Sequence, residues 1–240
     1  MEVTTQNTSH LEIYKRYNKL YIALDCIIFG FDEGELKLLL IKRNFEPAKG
    51  QWSLIGEFMD EGESLDEAAY RILSNLTGLK DVYMSQLYSH GGVHRDPGAR
   101  VISVSYYSLI NIQNHDAQLV KDNYAHWRPL SKLPPLIFDH RDMADMALKR
   151  LRKEAKVKPI GFELLPQKFT LPQLQSLYEA IYSKSLDKRN FRKNMLSMGL
   201  LEKLDEKEKE NSKKGAYYYQ FNEQKYRELS AKGFYFNIAI

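Results

Sequence analysis

The sequence predicts an α+β fold in two domains, a larger one built around a sheet and a smaller one of helices and a hairpin. Three observations carry the prediction. Apolar runs of strand length crowd the first 130 residues around one amphipathic helical stretch. Residues 156–168 (KVKPIGFELLPQK) hold two prolines and a glycine without a sustained period, as a linker would, so the domains are expected at 1–157 and 158–240. The charge is also split. Residues 1–130 carry 13 Lys/Arg against 17 Asp/Glu, and the remainder carries 22 against 14, an acidic part joined to a basic one.

Each element has its own signal. Residues 21–31 (YIALDCIIFGF) are rich in β-branched and aromatic side chains and read as a buried strand. Asp32-Glu33-Gly34 supplies turn chemistry, and 36–42 reads as the returning strand. A further apolar stretch is expected over 52–58. Leu65, Ala68, Ala69, Ile72, Leu73 and Leu76 then share one helical face, with Gly78 placed for a left-handed cap. Strands are expected at 82–89, 101–110 and 126–130, and a helix from about 141 to 154. Thr170 and Gln173 have capping-box spacing ahead of the apolar face Leu171, Leu174, Leu177, Tyr178 and Ile181. A second helix over 187–198, stopped by Gly199, buries Phe191, Met195 and Met198. Strands at 200–204 and 217–221 close the order helix, turn, basic helix, hairpin, which is that of a winged helix-turn-helix.

Composition removes several classes. With 43% hydrophobic and 28% charged residues the chain can bury a core. Its longest apolar runs fall well short of the roughly 20 residues that span a bilayer, and no secretion signal is visible. The single cysteine, Cys26, leaves no internal disulfide or cysteine-rich zinc site. A soluble, cytoplasmic protein without membrane contact is expected.

Residues 56–79 (GEFMDEGESLDEAAYRILSNLTGL) resemble the Nudix box, a phosphate-hydrolysis signature. Glu63 takes its first glutamate, Arg71 its arginine, Leu73 its aliphatic position and Gly78-Leu79 its end. Glu57 falls where the first glycine belongs, with Gly56 just ahead. The three remaining glutamates fall on Ile72, Asn75 and Leu76. Magnesium needs hard oxygen ligands, and in Nudix enzymes those glutamates supply them, so that the metal polarises the phosphoryl centre and activates water. Ile72 and Leu76 have no lone pairs to offer, and Asn75 is neutral. No catalytic residue, metal ligand or cofactor is therefore expected. The alternative is an active hydrolase of ADP-ribose or a sugar nucleotide with rearranged ligands Glu57, Glu61, Glu63 and Glu67.

A domain of this shape without catalysis can keep a ligand pocket. Its candidate effector-binding residues are Asp25, Arg43, Glu57, Arg71, His94, Arg100, Asp139 and His140, polar groups inside apolar strands or on loops beside the box. Asp25 stands out, because an acid in the middle of YIALDCII costs energy unless something pairs with it. In the basic stretch 185–199 (SLDKRNFRKNMLSMG), long cationic and amide side chains lie opposite the apolar anchors, as a helix entering the DNA major groove requires. Lys188, Arg189, Asn190, Arg192 and Lys193 are its candidate contacts, with Lys213 and Lys214 on the wing. A solvated charged face is the competing account. An RNA-binding role is a third, and duplex RNA is a poor fit because its narrow major groove excludes a helix.

Together, LPPLIFDHRDMADMALKRLR at 133–152, FTLPQLQSLYEAIY at 169–182 and LDKRNFRKNMLSMGLLEKL at 186–204 resemble the Nudix-related transcriptional regulators of NrtR type. The resemblance implies an α/β/α Nudix-like sandwich with a mixed sheet, sensing a metabolite, and a C-terminal winged helix binding operator DNA. It implies a homodimeric repressor or activator of a metabolic operon on a palindromic operator. Some branches sense ADP-ribose or related NAD metabolites and another senses arabinose. A sugar is favoured here, because the strand following the basic 90–100 loop lacks an obvious cluster for a pyrophosphate and the box has lost its metal ligands.

Overall fold

The centre of the larger domain is β1 (Tyr21–Asp32), whose middle is buried on both faces. The computed structural model describes residues 13–80, 82–114, 124–209 and 215–238. From β1 the chain turns through Glu33 and Gly34, both at positive φ (51° and 77°), into β2 (Glu35–Lys42). A two-residue turn of that kind matches the twist of the strands it joins. The stretch expected over 52–58 divides into β3 (Trp52–Ser53) and β4 (Ile55–Phe58), which pair antiparallel with β2 and β1 respectively. β5 (Ser85–His90) lies antiparallel to β6 (Val101–Asn111), and β6 lies parallel to β1. β7 (Ala125–Pro129) adds to β2 antiparallel. The sheet is mixed, as the resemblance implies.

Each face of the sheet is covered by a helix, and the two-residue period of β1 assigns its side chains. Leu24, Cys26 and Ile28 face α1 (Leu65–Thr77), which buries Ala68, Ala69, Ile72 and Leu73 against them. Burying residues such as Ile72 and Leu73 contributes roughly 2 kcal/mol each relative to exposure. Ser64 and Glu67 form a capping box at the start of α1, and Gly78 (φ 74°) closes it. Ile27 and Phe29 face α2 (His140–Val157), which buries Met143, Ala144, Ala147 and Leu151. Asp25 belongs to this second set, and that parity sets it beside the start of α2.

The smaller domain opens on β8 (Phe169–Thr170) and a capping box at Thr170 and Gln173, followed by α3 (Leu171–Tyr182). α4 (Lys188–Ser197) comes next, then a hairpin of β9 (Leu201–Glu208) and β10 (Ala216–Phe221), to which β8 adds a third strand. A further helix, α5 (Glu223–Ala231), follows with Asn222 as its cap and was not expected. The arrangement is a winged helix.

Residues 156–168 are not a loose tether. α2 runs on to Val157, and Ile160–Leu164 form a 3₁₀ turn. Phe162 stacks on Phe221 with ring centroids 4.4 Å apart, and Leu164 and Leu165 are buried. The apolar residues of this stretch pack instead of repeating, which is why no period announces them. One apolar core runs without a break from Phe29, Leu38 and Leu40 through Ala147 and Leu151 to Leu174, Tyr178 and Phe191. α2 is the layer shared by sheet and winged helix. Among the described residues, no helix is long and apolar enough to cross a membrane.

Candidate ligand pocket and nucleic-acid interface

Asp25 is 4% exposed and sits at the floor of a small cavity of about 40 Å³. Its carboxylate accepts a hydrogen bond from Ser103 Oγ on the neighbouring β6. Arg95 Nη2 and His140 Nε2 both approach it to 3.7 Å. Gly56 on β4 passes so close that a Cβ there would collide with the Asp25 carboxylate and stand 2.9 Å from the Leu24 carbonyl oxygen. The acid inside the apolar strand thus has the partners its burial demands.

Phe138 turns the chain through φ 48°, a conformation strained for a bulky side chain. It delivers Asp139 and His140 to the start of α2. Asp139 takes two hydrogen bonds from the Arg95 guanidinium, 2.9 Å from Nε and 2.8 Å from Nη2, and the Arg95 side chain is 4% exposed. His140 Nδ1 accepts from the Leu54 backbone N–H at 3.1 Å, so that nitrogen carries no proton. Burial pushes the His140 pKa below the ordinary imidazole value, against the pull of Asp25. Arg43 lies over the rings of Phe45 (3.8 Å) and Phe138 (5.6 Å), and burial lowers its pKa too.

Of the eight residues expected to meet an effector, Asp25, Arg43, Glu57 and His140 line this cavity. Asp139 joins them through Arg95. Three others lie elsewhere. His94 is exposed, and Arg100 donates to the Gly92 carbonyl within its own loop. Arg71 ties the box loop to α1, with its Nε 2.8 Å from Glu63, an ion pair of 3.2 Å to Glu57 and a hydrogen bond to the Phe58 carbonyl. The Arg71 guanidinium and the Asp60 backbone N–H hold the Glu63 carboxyl down at about 2. Arg95 was missed by the sequence reading, although it lies between two residues that were chosen. Only the path of the 90–100 loop brings it inward.

The divalent ion that a Nudix fold implies does not fit these residues. Ile72 is wholly buried in the core and Leu76 packs against it. Of the nearby carboxylates, Glu57 and Glu63 are held by Arg71, Asp66 accepts from the Tyr106 hydroxyl and Glu67 closes the capping box, while Glu61 is exposed. Among the described residues, no group of three or more His, Cys, Asp or Glu could hold a metal.

The second surface is α4. Asp187 caps it by accepting from the Asn190 N–H at 2.8 Å, and Phe191 and Met195 anchor it in the core. Lys188, Arg189, Asn190, Arg192 and Lys193 are all exposed. Among the described residues, none of these four cations forms an ion pair with a carboxylate. Glu179 and Gln175 of α3 fix the preceding turn through the Leu186 N–H (2.8 Å) and carbonyl (3.0 Å). On the hairpin, Lys203 and Lys207 lie over the Tyr217 ring at 3.5 and 4.4 Å. Lys213 and Lys214 fall outside the described residues.

Comparison with known proteins agrees with both halves. Residues 19–150 match the NUDIX domain family, and residues 161–221 match the NrtR DNA-binding winged helix domain. The ADPR responsive transcriptional repressor NtrR of Acinetobacter baylyi is 34% identical over 214 residues, 88% of this chain and 85% of that protein. The crystal structure of Shewanella oneidensis NrtR complexed with a 27mer DNA aligns with a TM-score of 0.74 at 30% identity, covering 83% of this chain and 93% of that one. The NUDIX domain of the same protein complexed with ADP ribose aligns with a TM-score of 0.54 at 29% identity, covering 61% and 99%. The chain belongs to the NrtR-like family of Nudix-related transcriptional regulators.

Proposed function

We propose that this chain is an ADP-ribose-responsive transcriptional repressor that binds ADP-ribose in its Nudix domain without cleaving it. The observation that carries the regulatory half is α4, a capped and core-anchored helix presenting to solvent four cations that have no carboxylate partner among the described residues. Helix-turn-helix proteins dock such a helix in the major groove, and two-fold symmetry of a dimer then matches a palindromic operator. A DNA-binding protein of this kind works in the cytoplasm.

ADP-ribose replaces the sugar favoured by the sequence reading. The likeness to the Acinetobacter repressor and the Shewanella domain supports it, and so does the chemistry of the pocket. Arg43 supplies a guanidinium at the pocket, a group that suits phosphate, beside Arg95, which Asp139 and Asp25 already hold. Ile72, Asn75 and Leu76, which give a metal-bridged pyrophosphate no carboxylates, support binding without cleavage. Operator affinity measured by fluorescence anisotropy, with and without ADP-ribose, tests the reading. Weakening by ADP-ribose is expected. Mg²⁺-dependent release of AMP from ADP-ribose at an enzymatic rate would instead support a hydrolase with rearranged ligands.

A further inference from the structure

We infer that α2 carries the effector signal to the recognition helix and that Arg152 is the positioning residue at its output end. The inference rests on the functional reading above and adds to it the physical route between the two sites.

The input end of α2 lies in the pocket. Asp139 holds Arg95, and His140 takes the Leu54 N–H. The pocket there is lined by Asp25, Arg43, Arg95, Phe138 and His140. A ligand seated in it therefore meets both the Arg95 loop and the start of α2. Whatever fills the pocket acts on the first turn of this helix.

Twelve residues on, about 18 Å along the axis, Arg152 grips the smaller domain. Its Nε donates to the Ile181 carbonyl at 2.7 Å and its Nη2 to Ser183 Oγ at 3.0 Å, while its own carbonyl accepts from the Tyr182 hydroxyl at 2.7 Å. Ile181 lies in the last turn of α3, where helix carbonyls lack partners within the helix. Ser183 is the left-handed cap of α3 (φ 52°). The turn it opens leads directly to α4 and is pinned to α3 by Gln175 and Glu179. Polar contacts thus run from Arg152 through the end of α3 to the start of the recognition helix.

Two features make the helix a transmitter rather than a spacer. Its apolar face belongs to the core shared by sheet and winged helix, and packed interiors shift as units. The connector that follows α2 also touches the winged helix directly, with Phe162 stacked on Phe221 at 4.4 Å beside a surface cleft lined by Ile160, Asn222 and Tyr226.

The test uses the full chain and a duplex selected from a randomised pool by the wild-type protein. Operator affinity is measured with and without saturating ADP-ribose for wild type, Arg152→Gln and Tyr182→Phe. Calorimetry measures ADP-ribose binding and melting verifies the fold. Wild-type operator affinity should weaken about tenfold with ADP-ribose, within the usual range of coupling between sites. Arg152→Gln should bind each ligand separately within about threefold of wild type while the effect of one on the other shrinks below about twofold. Tyr182→Phe, which loses one hydroxyl, should fall between and serves alone if Arg152→Gln does not fold. Full wild-type coupling in the folded variants overturns the inference. So does loss of operator binding itself by a folded Arg152→Gln, which would make Arg152 part of the scaffold. A wild-type protein indifferent to ADP-ribose overturns the functional reading and the inference with it.

Discussion

The two domains treat arginine in opposite ways. In the Nudix domain, Arg95 is buried between Asp139 and Asp25, and Arg71 is held by Glu57, Asp60 and Glu63. On α4, Lys188, Arg189, Arg192 and Lys193 stand in solvent without carboxylate partners among the described residues. A paired, buried cation fixes the shape of the structure around it, because removing its partner strands a charge away from water. An exposed, unpaired one does little for the fold and keeps its charge for a polyanion. The contrast separates residues that hold a pocket closed from residues that wait for a partner, and mutation can test it from either side.

The largest effect is expected where the pairing is tightest. Asp139→Ala leaves the Arg95 guanidinium buried with Asp25 at 3.7 Å as its remaining carboxylate among the described residues, and should cost about 3 kcal/mol in denaturant unfolding. A loss below about 0.5 kcal/mol, the range of ordinary surface changes, would mean that Arg95 escapes to water and that the pocket is not held as described. Arg189→Ala should do the reverse. Unfolding should stay within about 0.5 kcal/mol of wild type, while operator binding falls by about 2 kcal/mol, the discrimination of one bidentate base contact. Unchanged operator affinity would remove α4 from the interface. Lys193→Ala should act more gently, lowering the slope of log affinity against log salt by about one, as loss of a single phosphate contact does.

These arginines also mark where the sequence stopped being informative. Contacts within one turn of chain were legible, because Thr170 with Gln173, and Gly78, each act on a neighbouring backbone, although the matching box of Ser64 and Glu67 went unread. So was the recognition helix, whose two faces repeat at helical spacing. The pocket was only partly legible. Asp25 declared itself by interrupting an apolar run, but its partners come from β6, the 90–100 loop and the start of α2, up to 115 residues away. No local pattern distinguishes Arg95 from His94 or Arg100. The packing of the connector was illegible for a related reason, since proline and glycine report where a helix cannot run and say nothing of what packs around them.

The smallest prediction probes the pocket through its histidine. Nδ1 of His140 accepts a backbone N–H and must stay unprotonated to do so, and burial holds its pKa below the ordinary value. As pH falls below about 6.5, the unfolded chain binds a proton at this position before the folded one does. The stabilising contribution is therefore whole above about pH 6.5 and drains as pH drops through the folded-state value. Urea unfolding followed from pH 7.5 to 5.5 should show stability falling toward acid, and His140→Gln should flatten that slope. A residue of slope will persist, because His90, bonded to Ser105 at 3.0 Å, also has its pKa lowered by burial. If His140→Gln left the slope unchanged, the imidazole would titrate alike in the folded and unfolded chains. Burial would then not be holding the ring neutral, and the Leu54 N–H contact would not discriminate between its two protonation states.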